Sequence, residues 1–289
     1  NTPVNTNFAV LTGQDLQGNP SAAYGNACQN ILIVFQTYTD IGVLSFDQSC
    51  YGPDSYSVTL PAGTTAADYR IVAVPLRASD PNPVTMLGGQ IGTYDTSLMR
   101  IFAYDAETQT YTEYPFTGSV GNILPGDAAW FLFRNGQTLT LEGTETPVTV
   151  DLAGRSGCPV EIGQGWNLIG NPFNFEVSVS SIIIKEGDIE VPLTGSENSI
   201  TQGVFWVWSN GGYAAASTLP AGTGGWIYKN TAGFCDAFFI FNPADRSVER
   251  GASETDVRGL RRPPAPPGLI VESSGDGTSG CFIKALEDE

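Results

Sequence analysis

The apolar positions of this chain fall into short runs separated by turn residues. Ile31-Leu-Ile-Val-Phe35 is an unbroken apolar run, as expected of a strand buried on both faces. Gly42-Val-Leu-Ser-Phe46 follows it. Tyr56-Ser-Val-Thr-Leu60 is rich in β-branched and aromatic residues and stops at Pro61-Ala-Gly63, a turn signal. The first twenty residues are polar, and residues 1–64 read as an N-terminal β region with an extended arm.

From about residue 65 one pattern occurs twice. Arg70-Ile-Val-Ala-Val-Pro-Leu76 is echoed by Trp166-Asn-Leu-Ile-Gly-Asn-Pro-Phe173. Met99-Arg-Ile-Phe-Ala-Tyr104 is echoed by Gly203-Val-Phe-Trp-Val-Trp208, and each is followed by a polar turn and a tyrosine, Tyr111 or Tyr213. Leu124-Pro-Gly-Asp-Ala-Ala-Trp-Phe-Leu-Phe133 is echoed by Leu219-Pro-Ala-Gly-Thr-Gly-Gly-Trp-Ile-Tyr228. The copies are offset by roughly 95–105 residues, too long for a solenoid repeat and suited to two β units. Ser209-Asn-Gly-Gly212 is a hairpin turn. Trp130 and Trp226 are expected to fill an interior between sheets. The expected fold class is all-β: tandem β-sandwich-like domains with an internal repeat (65–150 and 151–243) and an extended C-terminal tail (244–289).

The tail departs in composition from what precedes it. Arg261-Arg-Pro-Pro-Ala-Pro-Pro-Gly268 leads to Ser273-Ser-Gly-Asp-Gly-Thr-Ser-Gly280. Residues 263–267 read as a stiff spacer rather than a polyproline ligand. Such a stretch has no interior of its own and orders only by docking, on its own globule or, as expected here, on a sister molecule. Leu269, Ile270 and Val271 form a β-prone stretch suited to adding a strand to a sheet edge. Cys281, Phe282 and Ile283 are grouped with them as an assembly tail.

Composition narrows the chemistry. The 289 residues include 34 Gly and 19 Pro with only 15% charged residues, which favours short strands over long helices. The net charge of −17 leaves no basic stripe for nucleic acid and gives no attraction to an anionic membrane. There is no histidine, so His-based triads and ordinary His-liganded metal sites are excluded. No Asp-rich loop of the EF-hand kind occurs. No catalytic residue, metal ligand or cofactor is assigned. Glu186-Gly-Asp-Ile-Glu190 reads as a solvated hairpin tip rather than a glycosidase pair. Gly154-Arg-Ser-Gly157 reads as a loop, because Cys158 stands where a nucleophile elbow has glycine.

Among the five cysteines, Cys28 with Cys50 and Cys158 with Cys235 each bracket a β-rich stretch. Both pairs are expected as disulfides, which implies an oxidising compartment, although four cysteines allow three connectivities. Cys281 is left over. No run of about 20 apolar residues exists. The start at Asn1 suggests that a signal peptide has been removed. The aromatics carry the one binding signal: Trp206 and Trp208 share a strand face, near Tyr213, and if they face outward they form an apolar strip suited to a sugar ring or a partner subunit.

The repeat resembles a module of large secreted bacterial surface proteins. The resemblance runs from the Tyr-Arg-(apolar)-Val-x-Pro-Leu segment at 69–76, through Asp80-Pro-Asn-Pro83, Gly92-Thr-Tyr-Asp95 and the Pro-Gly-x-Ala-x-Trp step at 125–130, to the Gly-Trp-Asn-x-Ile-Gly-Asn-Pro-Phe segment at 165–173. Gly280-Cys-Phe-Ile283 is similar to a C-terminal box of exported bacterial proteins and departs from it at Lys284. The resemblance implies an extracellular accessory role without an agreed catalytic activity. The expected function is a non-catalytic extracellular structural subunit, a fibre or surface-layer component, that partners with copies of itself by exchanging its tail or arm. The alternative is a carbohydrate-binding or adhesive module with a polysaccharide partner.

Overall fold

The computed structural model of the chain describes residues 33–36, 41–44, 54–116, 121–150, 155–240 and 259–269. The chain divides into two compact units, Asn1–Asp54 and Ser55–Glu289. In the first, β1 (Ile33–Gln36) pairs antiparallel with β2 (Ile41–Leu44), Val34 opposite Val43. The predicted arm, Cys28 and Cys50 lie outside the described residues.

Among its described residues the second unit is all-β apart from one α-helix and two short 3-10 turns, and it contains one design twice. In the first copy the strands are β3 (Asp54–Leu60), β4 (Arg70–Ala73), β5 (Leu76–Ala78), β6 (Met99–Asp105), β7 (Thr110–Glu113), β8 (Ala128–Phe133) and β9 (Gln137–Glu145). They form an inner sheet β4-β8-β6-β7 and an outer sheet β3-β9-β5. The second copy has β10 (Thr149–Val150), β11 (Ser156–Ile162), β12 (Gly165–Gly170), β13 (Val177–Ser178), β14 (Ile182–Glu186), β15 (Ile189–Pro192), β16 (Trp206–Ser209), β17 (Gly212–Ala215), β18 (Thr218–Leu219), β19 (Gly224–Lys229) and β20 (Cys235–Ile240). Its inner sheet, β12-β19-β16-β17, repeats the first strand for strand. Its outer sheet, β10-β11-β20-β14-β15, repeats the first copy's order within β11-β20-β14. The strand at 54–60, grouped by sequence with the N-terminal region, is an edge of the first copy's outer sheet.

Register fixes which residues correspond. Ile71 lies opposite Trp130 as Leu168 lies opposite Trp226, and Phe102 opposite Trp130 as Trp206 opposite Trp226. Tyr104 therefore matches Trp208, Tyr111 matches Tyr213, Ala73 matches Gly170 and Asp127 matches Thr223. The sequence reading missed helix α1 (Pro83–Ile91). Its start is encoded locally: the Asn82 side chain accepts from Val84 N at 2.9 Å, and Pro83 occupies the first turn, where a missing N–H costs nothing. Gly92 closes it at φ +66°.

The inner sheets are covered on both faces. From β8, Ala129, Phe131 and Phe133 enter the first copy's own interior, with Val72, Ile101 and Leu139. Ala128, Trp130 and Leu132 point the other way, into a third interior shared with Trp166, Leu168, Trp206 and Trp226 of the second copy. Every residue of β8 is buried, which is why it reads as an unbroken apolar run rather than an alternation. Trp130, Trp206 and Trp226 are fully buried, each a loss of about 3–5 kcal/mol if truncated to alanine.

The copies meet through reciprocal contacts. Ala73 N donates to Gly222 O at 2.9 Å, and the matching Gly170 N donates to Gly126 O at 2.8 Å. Bridges Val72–Thr223 and Asp127–Ile169 are the same contact made twice. Such an interface is isologous, as in a two-fold dimer, here within one chain. The backbones approach closely enough that a Cβ on Gly170 would lie 2.4 Å from the Ala73 Cβ.

The expected Cys158–Cys235 disulfide does not form; both thiols are free and buried. In the β11–β20 ladder Cys158 lies opposite Phe239 and Cys235 opposite Ile162, so the two are offset by four positions. At ~3.3 Å per residue that is ~13 Å, beyond the ~7 Å limit of a disulfide. Burial pushes both thiols up to about 12. Bracketing one β stretch put them on neighbouring strands without putting them opposite each other.

Candidate functional site

Two hairpins of matched design build the site. In β6–β7 Tyr104 lies opposite Tyr111, and in β16–β17 Trp208 lies opposite Tyr213. The turns suit this placement: Asp105 accepts from Glu107 N and Thr108 N in the first, and Asn210 and Gly211 take positive φ in the second. The rings cross between copies. Tyr104 meets Trp226 edge-on at 4.7 Å, and its counterpart Trp208 meets Trp130 at 5.5 Å.

Residues 261–269 lie across this aromatic surface. The Arg261 guanidinium sits 5.0 Å from the Tyr228 ring and that of Arg262 4.7 Å from the Trp206 ring. With its amide oriented to satisfy both atoms, Gln202 accepts from Arg261 N at 3.1 Å and donates to Arg261 O at 3.2 Å. Tyr213 donates its hydroxyl to Pro264 O, and the matched Tyr111 donates to Ala265 O at 2.9 Å. Tyr69 donates to Gly268 O and Arg100 to Leu269 O. Arg100 is itself held by Glu113 at 2.6 Å, which also accepts from Tyr94 at 2.7 Å. Pro263 and Pro267 are buried. The path runs from the second copy onto the first.

The chemistry of the two surfaces is complementary. Proline has no N–H, so the 263–267 backbone is almost purely a hydrogen-bond acceptor. The groove answers with hydroxyl and guanidinium donors and with apolar ring faces, the pattern by which aromatic grooves hold proline-rich segments. Burial raises the pKa of Tyr69, Tyr111 and Tyr213 well above the ordinary tyrosine value, so all three remain donors across the working pH range.

The sequence-predicted residues are therefore placed as follows. Residues 263–267, read as a spacer, are instead seated as a ligand would be, because the groove supplies the donors the segment lacks. Trp206 is fully buried beneath Arg262, and Trp208 and Tyr213 are half-buried. The chain's own segment lies on two of these three residues, with Arg262 over the Trp206 ring and Pro264 O on the Tyr213 hydroxyl. Leu269 is exposed, with its carbonyl on Arg100; Ile270, Val271, Cys281, Phe282 and Ile283 lie outside the described residues. Tyr69, Arg100, Tyr111, Arg261 and Arg262 were not singled out as site residues. Their signal was the pairing of Tyr111 with Tyr213 in the repeat and the proline-rich, mostly acceptor backbone of residues 263–267.

Two of the carboxylates at 186–190, Glu186 and Glu190, are ion-paired, and Asp188 is exposed at the turn. Glu186 accepts from Lys229, a fully buried lysine, at 2.7 Å, and Glu190 pairs with Lys185 at 3.0 Å and with Arg155. Lys229 also bonds Thr231 O, Thr231 Oγ1 and Ala232 O. Its hydrogen bond, with that of Thr231, holds the Glu186 carboxyl below the usual range. Among the described residues no three of Cys, Asp and Glu converge as metal ligands, and no helix is long and apolar enough to cross a membrane.

No family model, no curated protein and no solved structure matches this chain.

Proposed function

We propose that this protein is a non-catalytic structural subunit of an extracellular or cell-surface assembly, and that it joins copies of itself through its C-terminal segment. The seated segment carries the reading. An acceptor-rich stretch at 261–269 and a groove that fits it sit on one chain. A segment and its receptor on one chain are the two halves of an exchange contact. The absence of histidine and the structural use of the Glu186–Glu190 carboxylates support the non-catalytic part. The extracellular part rests on the resemblance of 69–173 and of Gly280-Cys-Phe-Ile283 to exported bacterial surface proteins.

Light scattering and negative-stain imaging of the full chain over a wide concentration range test the proposal. The expected result is particles whose mass grows in multiples of 30.7 kDa with concentration. A single species of that mass at every concentration overturns it.

A further inference from the structure

We infer that the groove is a direction-specific receptor for an arginine-led proline segment: the ring faces of Tyr228 and Trp206 take the two guanidiniums, and Arg100 bars the reverse orientation. Direction and ligand class are properties of the groove itself. They go beyond the assembly reading and do not require it.

The prolines do not set the direction. Pro263-Pro-Ala-Pro-Pro267 reads the same from either end. An extended proline rod has no internal hydrogen bonds and leaves its carbonyls free whichever way it runs. The centre of the groove is equally indifferent. The matched Tyr111 and Tyr213 donate to the adjacent carbonyls of Ala265 and Pro264. A rod turned end for end would still meet both hydroxyls.

The two ends of the groove differ. At the second-copy end Arg261 lies over Tyr228 and Arg262 over Trp206. The matching first-copy positions are Leu132 and Phe102. Leu132 has no π face. Phe102 has one, but the Arg100 guanidinium already lies 4.8 Å from its ring, as Arg262 lies 4.7 Å from Trp206. Arg100 pairs opposite Leu132. The residue beside Tyr228 in the second copy is Gln202, whose N donates to Tyr228 O at 3.0 Å. Gln202 is uncharged, and its amide pairs with the backbone of Arg261 instead of covering a ring. The first copy therefore builds an arginine–aromatic stack from its own strand, and the second receives one from the segment. Turned round, the segment would bring its arginines against Arg100, like charge against like. It would also carry the Gly268 and Leu269 carbonyls away from Tyr69 and Arg100.

Three full-length chains test this. The first carries Arg261→Gln and Arg262→Gln, both at exposed positions. The second carries residues 261–267 in reverse order, Pro-Pro-Ala-Pro-Pro-Arg-Arg. The third adds Arg100→Gln to the second. Far-UV circular dichroism checks that each folds. Seating of the segment is read as the rate at which tetranitromethane nitrates Tyr111 and Tyr213, followed by peptide mass spectrometry. Nitration in the first and second chains should be roughly threefold or more faster than in the wild type. Ethylguanidinium should slow it again in the first chain, and ethylammonium at the same concentration should not, because a planar guanidinium stacks on a ring where a strongly hydrated ammonium does not. Arg100→Gln should slow nitration of the reversed chain by removing the like charge and uncovering Phe102.

Wild-type rates in the first chain overturn the arginine receptor. So does the absence of rescue by ethylguanidinium, or equal rescue by both cations. Wild-type rates in the reversed chain overturn the directional reading, as does a reversed chain that Arg100→Gln fails to slow.

Discussion

Asp127 places a carboxyl where water is scarce. Although the residue as a whole keeps some exposed surface, its side chain lines an apolar cavity with Val58, Val74, Ile123 and Leu141. Burial pushes its pKa from an ordinary 3.8 up to about 6, only partly offset by the Leu124 N–H that it accepts at 2.7 Å. The folded state therefore holds this proton more tightly than the unfolded chain does. Between pH about 4 and about 6 the native form is protonated while the unfolded form is not, so stability falls as pH rises through that window. Above about 6 the loss is complete. A rise from 3.8 to about 6, at about 1.4 kcal/mol per tenfold change in proton affinity, amounts to about 3 kcal/mol. Asp127→Asn removes the ionisation and keeps an oxygen for Leu124. The variant should match the wild type near pH 4 and exceed it by about 2–3 kcal/mol at pH 7.5, after allowing for a buried amide N–H. Urea denaturation at both pH values, followed by tryptophan fluorescence, measures the difference. The second copy supplies an internal control, since the matching position is Thr223, and Thr223→Val should show no such pH dependence. An Asp127→Asn difference that is the same at both pH values would refute the reasoning, because it would show the carboxyl to be solvated.

Further outcomes follow from the packing. Gly170→Ala should cost about 2–3 kcal/mol in chemical denaturation, because its Cβ meets the Ala73 Cβ at 2.4 Å and Thr223 O at 2.5 Å on the other sheet and neighbouring backbone. Lys229→Met should cost about 3 kcal/mol by removing the donor shared by Glu186, Thr231 and Ala232, lowering the melting temperature by roughly 6–12 °C for a unit of this size. Native Cys158 and Cys235 should resist alkylation at pH 8 and react fully in denaturant, with peptide mass spectrometry as the readout; linkage of the two in the native protein would contradict the β11–β20 register.

Much of the architecture was legible because β-strand turns and buried strands leave local marks. The Leu-Pro turns at 124–125 and 219–220, the Asn-Gly turn and the paired tyrosines located both copies before any pairing was known. What local marks do not carry is which strand faces which. The alternation at Trp206 and Trp208 established a shared face but not what lay opposite it. That opposite layer came from the other copy and from residues some fifty positions downstream. The cysteines failed for the same reason, since a disulfide depends on register to within one residue. Helix α1 went unread because one short helix in a Gly- and Pro-rich chain is marked mainly by its cap. The role of residues 263–267 depended on donors distributed over four separate strands or their flanks, from Tyr69 to Tyr213, which no window along the chain contains.

Because each inner sheet is apolar on the side that meets its twin, neither repeat is a freestanding domain. Cutting the chain between them would not yield two smaller soluble proteins; each fragment would present a plate of tryptophan, tyrosine and leucine to water and stick to whatever came near. The duplication therefore behaves as a single cooperative folding unit, and its two halves are gained or lost together.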